Sequence, residues 1–226
     1  MPVQTPSSPA GGGGGGSSPS QSVPMQTPSS PAGGGGGGSS PSQSAPQPSS
    51  SSPSGGGGNG GGSGNSCPTN LNGQYSAPHL IVPVDSSKPD NAPGTSYNGT
   101  ISSSKTTLYN FDIPQSYESK TCSLVFLFPK QEDLETSAFT FSGDGKIDFA
   151  KLQSPVQEST SYSNMPSVEK DYGVTTVSPG NSYTISTFSC PAGQTVAYEM
   201  KNAGSTYLDF FEDYNPSPLG LYITTC

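Results

Sequence analysis

The first 66 residues of this chain contain almost nothing from which a protein core can be built. Of these 66 positions, 50 are Gly, Ser or Pro, and none carries an aromatic or charged side chain. A Gly-rich segment loses much conformational entropy when it is ordered, and this one offers little apolar surface in return. We therefore predict that residues 1–66 are a disordered low-complexity tail and that residues 67–226 form one folded domain.

The tail is built on a 22-residue repeat. Residues 2–22 and 24–44 differ at one position only, where Val3 corresponds to Met25, and a decayed third copy follows. Such near-identity indicates recent tandem duplication rather than a packed solenoid. The interleaved Pro, Ser and Thr residues suit an O-glycosylated stalk, and a plain unmodified linker is the alternative.

The start of the chain bears on its compartment. Met1 occupies the repeat position that Val23 holds in the second copy, so the chain begins inside its own repeat and no signal peptide precedes it. Either the protein is intracellular or its true start lies upstream with a secretion signal, and we favour the second. Asn98 begins an Asn-Gly-Thr sequon and is a candidate N-glycosylation site. We expect an extracellular or cell-wall location.

Charge excludes several classes of partner. All 16 acidic residues and all eight lysines lie in residues 67–226, the chain has no arginine, and the net charge is -8. An acidic protein without a basic stripe is unsuited to nucleic acid and to anionic membranes. The densest apolar run, Leu124 to Phe128, is far shorter than the roughly 18 residues that a membrane span needs. We expect no nucleic-acid partner and no membrane span; the oligomeric state stays open.

Four cysteines frame the domain, with Cys67 near its start and Cys226 as the last residue of the chain. No C-x-x-C motif occurs, and the spacings fit no zinc module. An even number of cysteines without metal-binding spacing favours two disulfide bonds and an oxidising compartment. Three pairings are possible. Because the end strands of a sandwich often lie together, we favour Cys67–Cys226 and Cys122–Cys190.

Short segments of alternating or wholly apolar residues, separated by Gly, Pro and Asn turns, fill residues 78–226. About ten strands at this spacing predict an all-β fold, a single β-sandwich with jelly-roll-like connections. Helix signals are nearly absent. The predicted strands are 80–84, 107–113, 122–128, 138–141, 147–149, 174–177, 183–188, 194–200, 206–211 and 219–225.

Five segments of the domain together resemble one protein family. They are PHLIVPVD (78–85), CSLVFLFP (122–129), TFSG (140–143), CPAGQTV (190–196) and DYNPSPLGLYI (213–223). The family is the C-terminal domain of the But-two (But2) proteins, named for a protein that binds the Uba-three subunit of a ubiquitin-like-modifier E1 enzyme. The resemblance covers residues 67–226. It implies a β-rich domain and a fungal, secreted or cell-wall protein, and it brings no catalytic residues.

Side chains with catalytic chemistry are few. His79 is the only histidine. Because no Gly-x-Ser-x-Gly motif supports a serine hydrolase, we interpret His79 as a structural residue. Asp209, Glu212 and Asp213 lie among aromatic residues and could serve a glycosidase, but surface acids beside a strand end explain them more simply. Residues 144–148 lack the ligand order of a calcium loop. We expect no catalytic residues, no metal and no cofactor.

The sequence therefore favours a non-catalytic structural or binding module of the fungal cell wall, whose partner is a wall polysaccharide or a wall protein. Its tyrosines could stack on sugar rings, although tyrosine is also common in half-buried strands. A polysaccharide-acting wall enzyme is the first alternative. An intracellular adaptor for a ubiquitin-like-modifier E1 subunit is the second.

Overall fold

The structure, a computed structural model, describes residues 66–226. The predicted tail, residues 1–66, lies outside these residues apart from Ser66. Within them the chain forms twelve β-strands and two 3₁₀ turns, the turns at Gln115–Tyr117 and Gln131–Asp133. The strands are β1 Gln74–Ser76, β2 Leu80–Asp85, β3 Asn98–Ile101, β4 Lys105–Asp112, β5 Thr121–Phe128, β6 Phe139–Ser142, β7 Lys146–Leu152, β8 Val168–Thr176, β9 Asn181–Ser189, β10 Thr195–Asn202, β11 Tyr207–Phe211 and β12 Gly220–Thr225.

The strands form three antiparallel sheets. Sheet A has the order β1-β12-β5-β9, sheet B the order β2-β4-β10-β7-β8, and sheet C the order β3-β11-β6. Four pairings are nested along the chain, since β1 pairs with β12, β4 with β10, β5 with β9, and β7 with β8. These nested pairs alternate between sheets A and B, which is the connectivity of a jelly roll. The predicted all-β, jelly-roll-like fold is confirmed.

The main core lies where the three sheets face one another. Phe126 of β5 is fully buried, and its ring packs against Phe149 of sheet B and Phe210 of sheet C, with centroids 6.0 and 5.8 Å away. Strand β5 is apolar on both faces because its outer face is covered as well. There Val125 and Leu127 form a second, smaller cluster with Tyr222.

The outer face of sheet B is half covered by the segment 153–167. Val156 of this segment packs in an apolar cluster with Leu108 and Leu152 of the sheet. Buried Asn110 of β4 fixes the segment in place, because its Nδ2 donates to the Val156 carbonyl (2.8 Å) and its Oδ1 accepts the Val156 N–H (2.9 Å). A buried amide with both ends satisfied in this way specifies one position for the segment.

Both pairs of cysteines are bonded in the structure, Cys67 to Cys226 with Cα atoms 5.4 Å apart and Cys122 to Cys190 with Cα atoms 5.0 Å apart. This is the pairing favoured from the sequence. The first bond joins the two ends of the domain beside β5, where Thr121 and Cys226 exchange two backbone hydrogen bonds of 3.0 Å. The described residues contain no helix long and apolar enough to cross a bilayer.

Candidate functional site

Strand β11 presents aromatic side chains to solvent. Successive residues of a strand point to opposite faces, and here Leu208 and Phe210 are fully buried while Tyr207 and Phe211 are 41% and 38% exposed. The exposed pair stands four residues apart on the outer side of sheet C. Large exposed hydrophobic side chains that cluster on one surface are typical of binding sites.

Two further tyrosines extend this surface. Tyr97, which precedes β3, is 79% exposed, and its ring centroid lies 6.2 Å from that of Phe211. Tyr214, which follows β11, is 54% exposed and shares with Tyr97 a cleft of about 140 Å³. We call the surface formed by Tyr97, Tyr207, Phe211 and Tyr214 the aromatic face.

Asp209 lies on the aromatic side of β11 and holds two groups of the sequon. Asn98 Nδ2 donates to Asp209 Oδ1 (2.9 Å), and Thr100 Oγ1 donates to Asp209 Oδ2 (2.7 Å). The sequon is therefore part of strand β3 rather than of a loop, and Asn98 is half-buried. N-glycosylation at Asn98 stays a prediction, and Asp209 has a structural role in joining β3 to β11.

The other predicted candidates also lie apart from one another. Asp213 accepts the Thr136 hydroxyl (2.6 Å) and the Asn215 N–H (3.1 Å), so its carboxylate fixes a loop. His79 lies at the surface with its Nδ1 3.0 Å from Asp112 Oδ2. Asp213 and Glu212 both line the small cleft beside Tyr97, but the Glu212 carboxyl oxygens are buried out of reach of solvent, so this cleft does not offer the two accessible carboxyl groups that a glycosidase requires.

Glu212 is the exception among these acids because its carboxyl group is inaccessible. Neither Oε1 nor Oε2 has a hydrogen-bond partner among the described residues, although other atoms of the residue reach the small cleft beside Tyr97. The carboxyl group packs directly on the backbone of Gly220, where a Cβ atom would collide with it. Burial raises the pKa of Glu212 well above its ordinary value, so the group is held in its protonated form.

This burial predicts how the stability of the domain depends on pH. An acid whose folded-state pKa is raised contributes stability that is fully present below the ordinary pKa of Glu, near 4.3, and that falls as the pH rises toward the raised pKa. Glu212→Gln removes the titration while keeping the shape. We expect the free energy of unfolding of the variant to exceed that of the wild type by about 1–3 kcal/mol at pH 8. At pH 4 the two free energies of unfolding are expected to differ little. Urea unfolding at both pH values measures this, and a difference independent of pH would contradict it.

A second group of acids, which sequence reasoning did not single out, lies on the outer face of sheet B. It comprises Asp148 of β7, Asp171 of β8 and Glu199 of β10, and burial raises the pKa of both Asp148 and Glu199. The one available signal was Glu199 itself, a lone acid inside the apolar strand β10. Strand register, which the sequence does not give, brings the three together.

The loop at residues 144–148 is structural. Asp144 Oδ1 accepts the Ser205 N–H and the Thr206 hydroxyl, each at 3.0 Å, and so joins the β6–β7 turn to the β10–β11 turn. Within residues 66–226 no three His, Cys, Asp or Glu side chains are arranged to hold a metal ion.

Comparison with protein families gives a match over residues 76–216 to the family described as "Ubiquitin 3 binding protein But2 C-terminal domain". The match covers more than half of the chain and includes strands β2 to β11 in full. Strand β12, which lies between β1 and β5, and the Cys67–Cys226 bond fall outside the matched range. Comparison with curated proteins gives no match.

Proposed function

Because the chain belongs to the But2 C-terminal domain family, we propose that it is a non-catalytic binding module, secreted or attached to the cell wall, that binds a wall polysaccharide through its aromatic face. The observation that carries this proposal is a group of four solvent-exposed aromatic side chains, of which Tyr207 and Phe211 share a face of β11, Tyr97 contacts Phe211 and Tyr214 lines a cleft with Tyr97. Such side chains give a large contact area and lose little conformational entropy on binding.

The arrangement of the aromatic face supports a sugar ligand. Tyr207 and Phe211 are about 13 Å apart along β11, from a rise of roughly 3.3 Å per residue, so the two rings can contact different sugars of one extended chain. Tyr97 lies next to Phe211 and widens the platform at one end. The tyrosine hydroxyls can form hydrogen bonds with sugar hydroxyls.

The two disulfide bonds support the location. Both cysteine pairs are bonded in the structure, and such bonds persist in extracellular compartments and are rare in the reducing cytosol. A glycan on Asn98 would project from the same side of sheet C as the aromatic face, next to Asp209 and opposite Phe211. The tail, residues 1–66, would then act as the spacer between the domain and its attachment point.

Two other functions are less well supported. A wall hydrolase based on Asp209, Glu212 and Asp213 conflicts with their separate structural contacts. An adaptor for a ubiquitin-like-modifier E1 subunit is suggested by the description of the family, but it would place two disulfide bonds in the cytosol. Finding four free thiols in the native protein would favour the adaptor.

Sedimentation with insoluble polysaccharides tests the proposal. The full chain is mixed with chitin, β-1,3-glucan and cellulose, and the protein left in solution is measured. We expect at least one of these polymers to remove the protein from solution. The double variant Tyr97→Ala, Phe211→Ala is expected to bind about tenfold more weakly or worse, since each buried aromatic contact of this kind is worth at least about 1 kcal/mol. Tyr162→Ala removes a half-exposed tyrosine from another face and is expected to bind normally. No depletion by any polymer, or equal loss in Tyr162→Ala, would contradict the proposal.

A further inference from the structure

A groove of about 400 Å³ runs along the outer face of sheet B, between β10 and the segment 153–167. We call it the acidic groove. One wall is apolar, with Met165, Val168 and the ring of Tyr162, and the opposite side holds Glu199 and Lys201. It lies on sheet B, whereas the aromatic face belongs to sheet C, so it is a separate feature of the surface.

Glu199 is the unusual residue of the acidic groove. It is only 6% exposed, yet its carboxyl group takes part in no hydrogen bond and in no ion pair within 4 Å among the described residues. Solvent can still reach the carboxyl oxygens of Glu199. Because Glu199 lines the groove, these oxygens face it. A buried carboxylate without a partner costs free energy that a ligand carrying hydrogen-bond donors would recover.

Strand register places two more carboxyl groups beside Glu199. Ala150 of β7 is paired with Glu199 on one side and with Asp171 of β8 on the other, so the small alanine side chain separates the two acids. Asp148 lies two positions from Ala150 along β7, its Oδ1 is buried without a hydrogen-bond partner, and the Asp171 carboxylate is near enough to add to the rise in its pKa that burial chiefly causes. Three carboxyl groups thus share one patch of the sheet.

Burial, and to a smaller extent repulsion between the acids, raises the pKa of Glu199 and of Asp148. Burial raises the pKa of Glu199, the Lys201 ammonium opposes that rise, and the Asp148 and Asp171 carboxylates add to it. Lys201 forms no ion pair within 4 Å with any of the three acids. The charged groups that act on Glu199 are therefore Asp148 on β7, Asp171 on β8 and Lys201 on β10, and Tyr162 of the covering segment lines the same groove.

From this geometry we propose that the acidic groove binds the guanidinium group of an arginine side chain on a partner protein. The planar guanidinium presents donors on two edges and can bridge the Glu199 and Asp171 carboxylates on either side of Ala150. The three-carbon stem of the arginine lies against Met165 and Val168, because such stems favour apolar surface. The chain has no arginine of its own, so a second copy cannot supply the ligand.

Arginine binding is linked to the protonation of Glu199. The guanidinium stays charged at any ordinary pH and favours the ionised form of Glu199, so proton binding to Glu199 competes with arginine binding. Affinity is therefore expected to rise with pH between 5.5 and 7.5, by at least about threefold. This inference is independent of the aromatic face and of the polysaccharide proposal.

The test is an NMR titration of the full chain with Nα-acetyl-arginine methylamide at pH 5.5 and 7.5. We expect saturable shifts at Glu199, Ala150 and Asp171, with a dissociation constant in the millimolar range (about -4 kcal/mol). The corresponding citrulline compound, Nα-acetyl-citrulline methylamide, has nearly the same shape as the arginine compound but no charge, and it is expected not to bind. Equal binding of the citrulline analogue, or of the lysine analogue, would overturn the inference.

Variants separate binding from folding. Glu199→Gln is expected to weaken binding of the arginine analogue at least tenfold and to abolish its pH dependence. Asp171→Asn, at an exposed position, is expected to weaken it without affecting the fold, which keeps the inference testable if Glu199→Gln is unstable. Glu135→Gln removes an exposed acid elsewhere and is the matched control. Unchanged affinity in both groove variants, or ligand shifts confined to the aromatic face, would contradict the assignment.

Discussion

Replacing Phe126 with alanine is expected to lower the free energy of unfolding by about 3–5 kcal/mol, the range for removal of a fully buried phenylalanine ring. Phe126 packs against Phe128, Phe149 and Phe210, with ring centroids 5.6–6.0 Å apart. These neighbours belong to all three sheets, so the cavity would open where the sheets meet and could not close without moving one of them. Urea unfolding followed by far-UV circular dichroism gives the change directly.

Phe211→Ala is the matched control for this substitution. Phe211 has the same side chain but is 38% exposed on the aromatic face, so its removal is expected to change stability by less than about 1 kcal/mol. A similar loss in both variants would contradict the placement of Phe126 at the junction of the sheets. The pair also separates the two roles of aromatic residues, since Phe126 is expected to matter for stability and Phe211 for binding.

Removing the Cys122–Cys190 bond by a double substitution to alanine is expected to cost about 4 kcal/mol and to lower the melting temperature by about 10–15 °C. The bond closes a loop with a sequence separation of 68 residues, and it ties the core strand β5 to the segment that enters β10. In the chain-entropy model, loss of the bond raises the conformational entropy of the unfolded chain and so lowers the free energy of unfolding.

The Cys67–Cys226 bond gives an internal comparison. Its sequence separation of 159 residues is longer, so the same account predicts a loss of about 5 kcal/mol when both cysteines are replaced by alanine. Thermal melts of the two double variants and of the wild type, with and without reductant, measure both effects. If reductant leaves the wild-type melt unchanged while non-reducing peptide mapping finds free thiols, neither bond exists in solution.

The sequence was informative about the fold wherever strands have an apolar pattern. Strands β5, β10 and β12 were predicted within a residue or two because their apolar runs end at Gly, Pro or Asn turns. Strand β8 begins at Val168, six residues before the predicted strand, because its first half reads Glu-Lys-Asp-Tyr-Gly. That half lies at the edge of sheet B, where most of its side chains are exposed and only Tyr172 packs against the core, so no apolar alternation is required.

Strand β3 was not predicted for a related reason. It contains four residues, Asn98 to Ile101, and its identity as a strand depends on pairing with β11. Gly99 allows this pairing because the Phe210 ring and the Tyr109 hydroxyl occupy the space where a side chain would stand. Long-range packing of this kind leaves no local pattern in the sequence.

The candidate sites illustrate the same limit. Asp209, Glu212 and Asp213 are close in sequence, but strand alternation and the turn after β11 send their carboxyl groups to a partly buried hydrogen-bond network, a buried pocket and an exposed loop. Conversely, Asp148, Asp171 and Glu199 are far apart in sequence and meet only through the register of β7, β8 and β10. Tyrosine abundance was compatible both with sugar stacking and with half-buried strands, and only the structure showed which aromatic residues lie together at the surface.

The most direct test of the account is to locate the polysaccharide on the protein. Isotope-labelled full chain is titrated with a soluble oligosaccharide of the polymer that depletes it, and backbone and aromatic resonances are followed. The account predicts saturable shifts at Tyr97, Tyr207, Phe211 and Tyr214, with the acidic groove unaffected. Shifts at another surface, or no saturable shift at ligand concentrations that remove the protein from solution in the sedimentation assay, would contradict it.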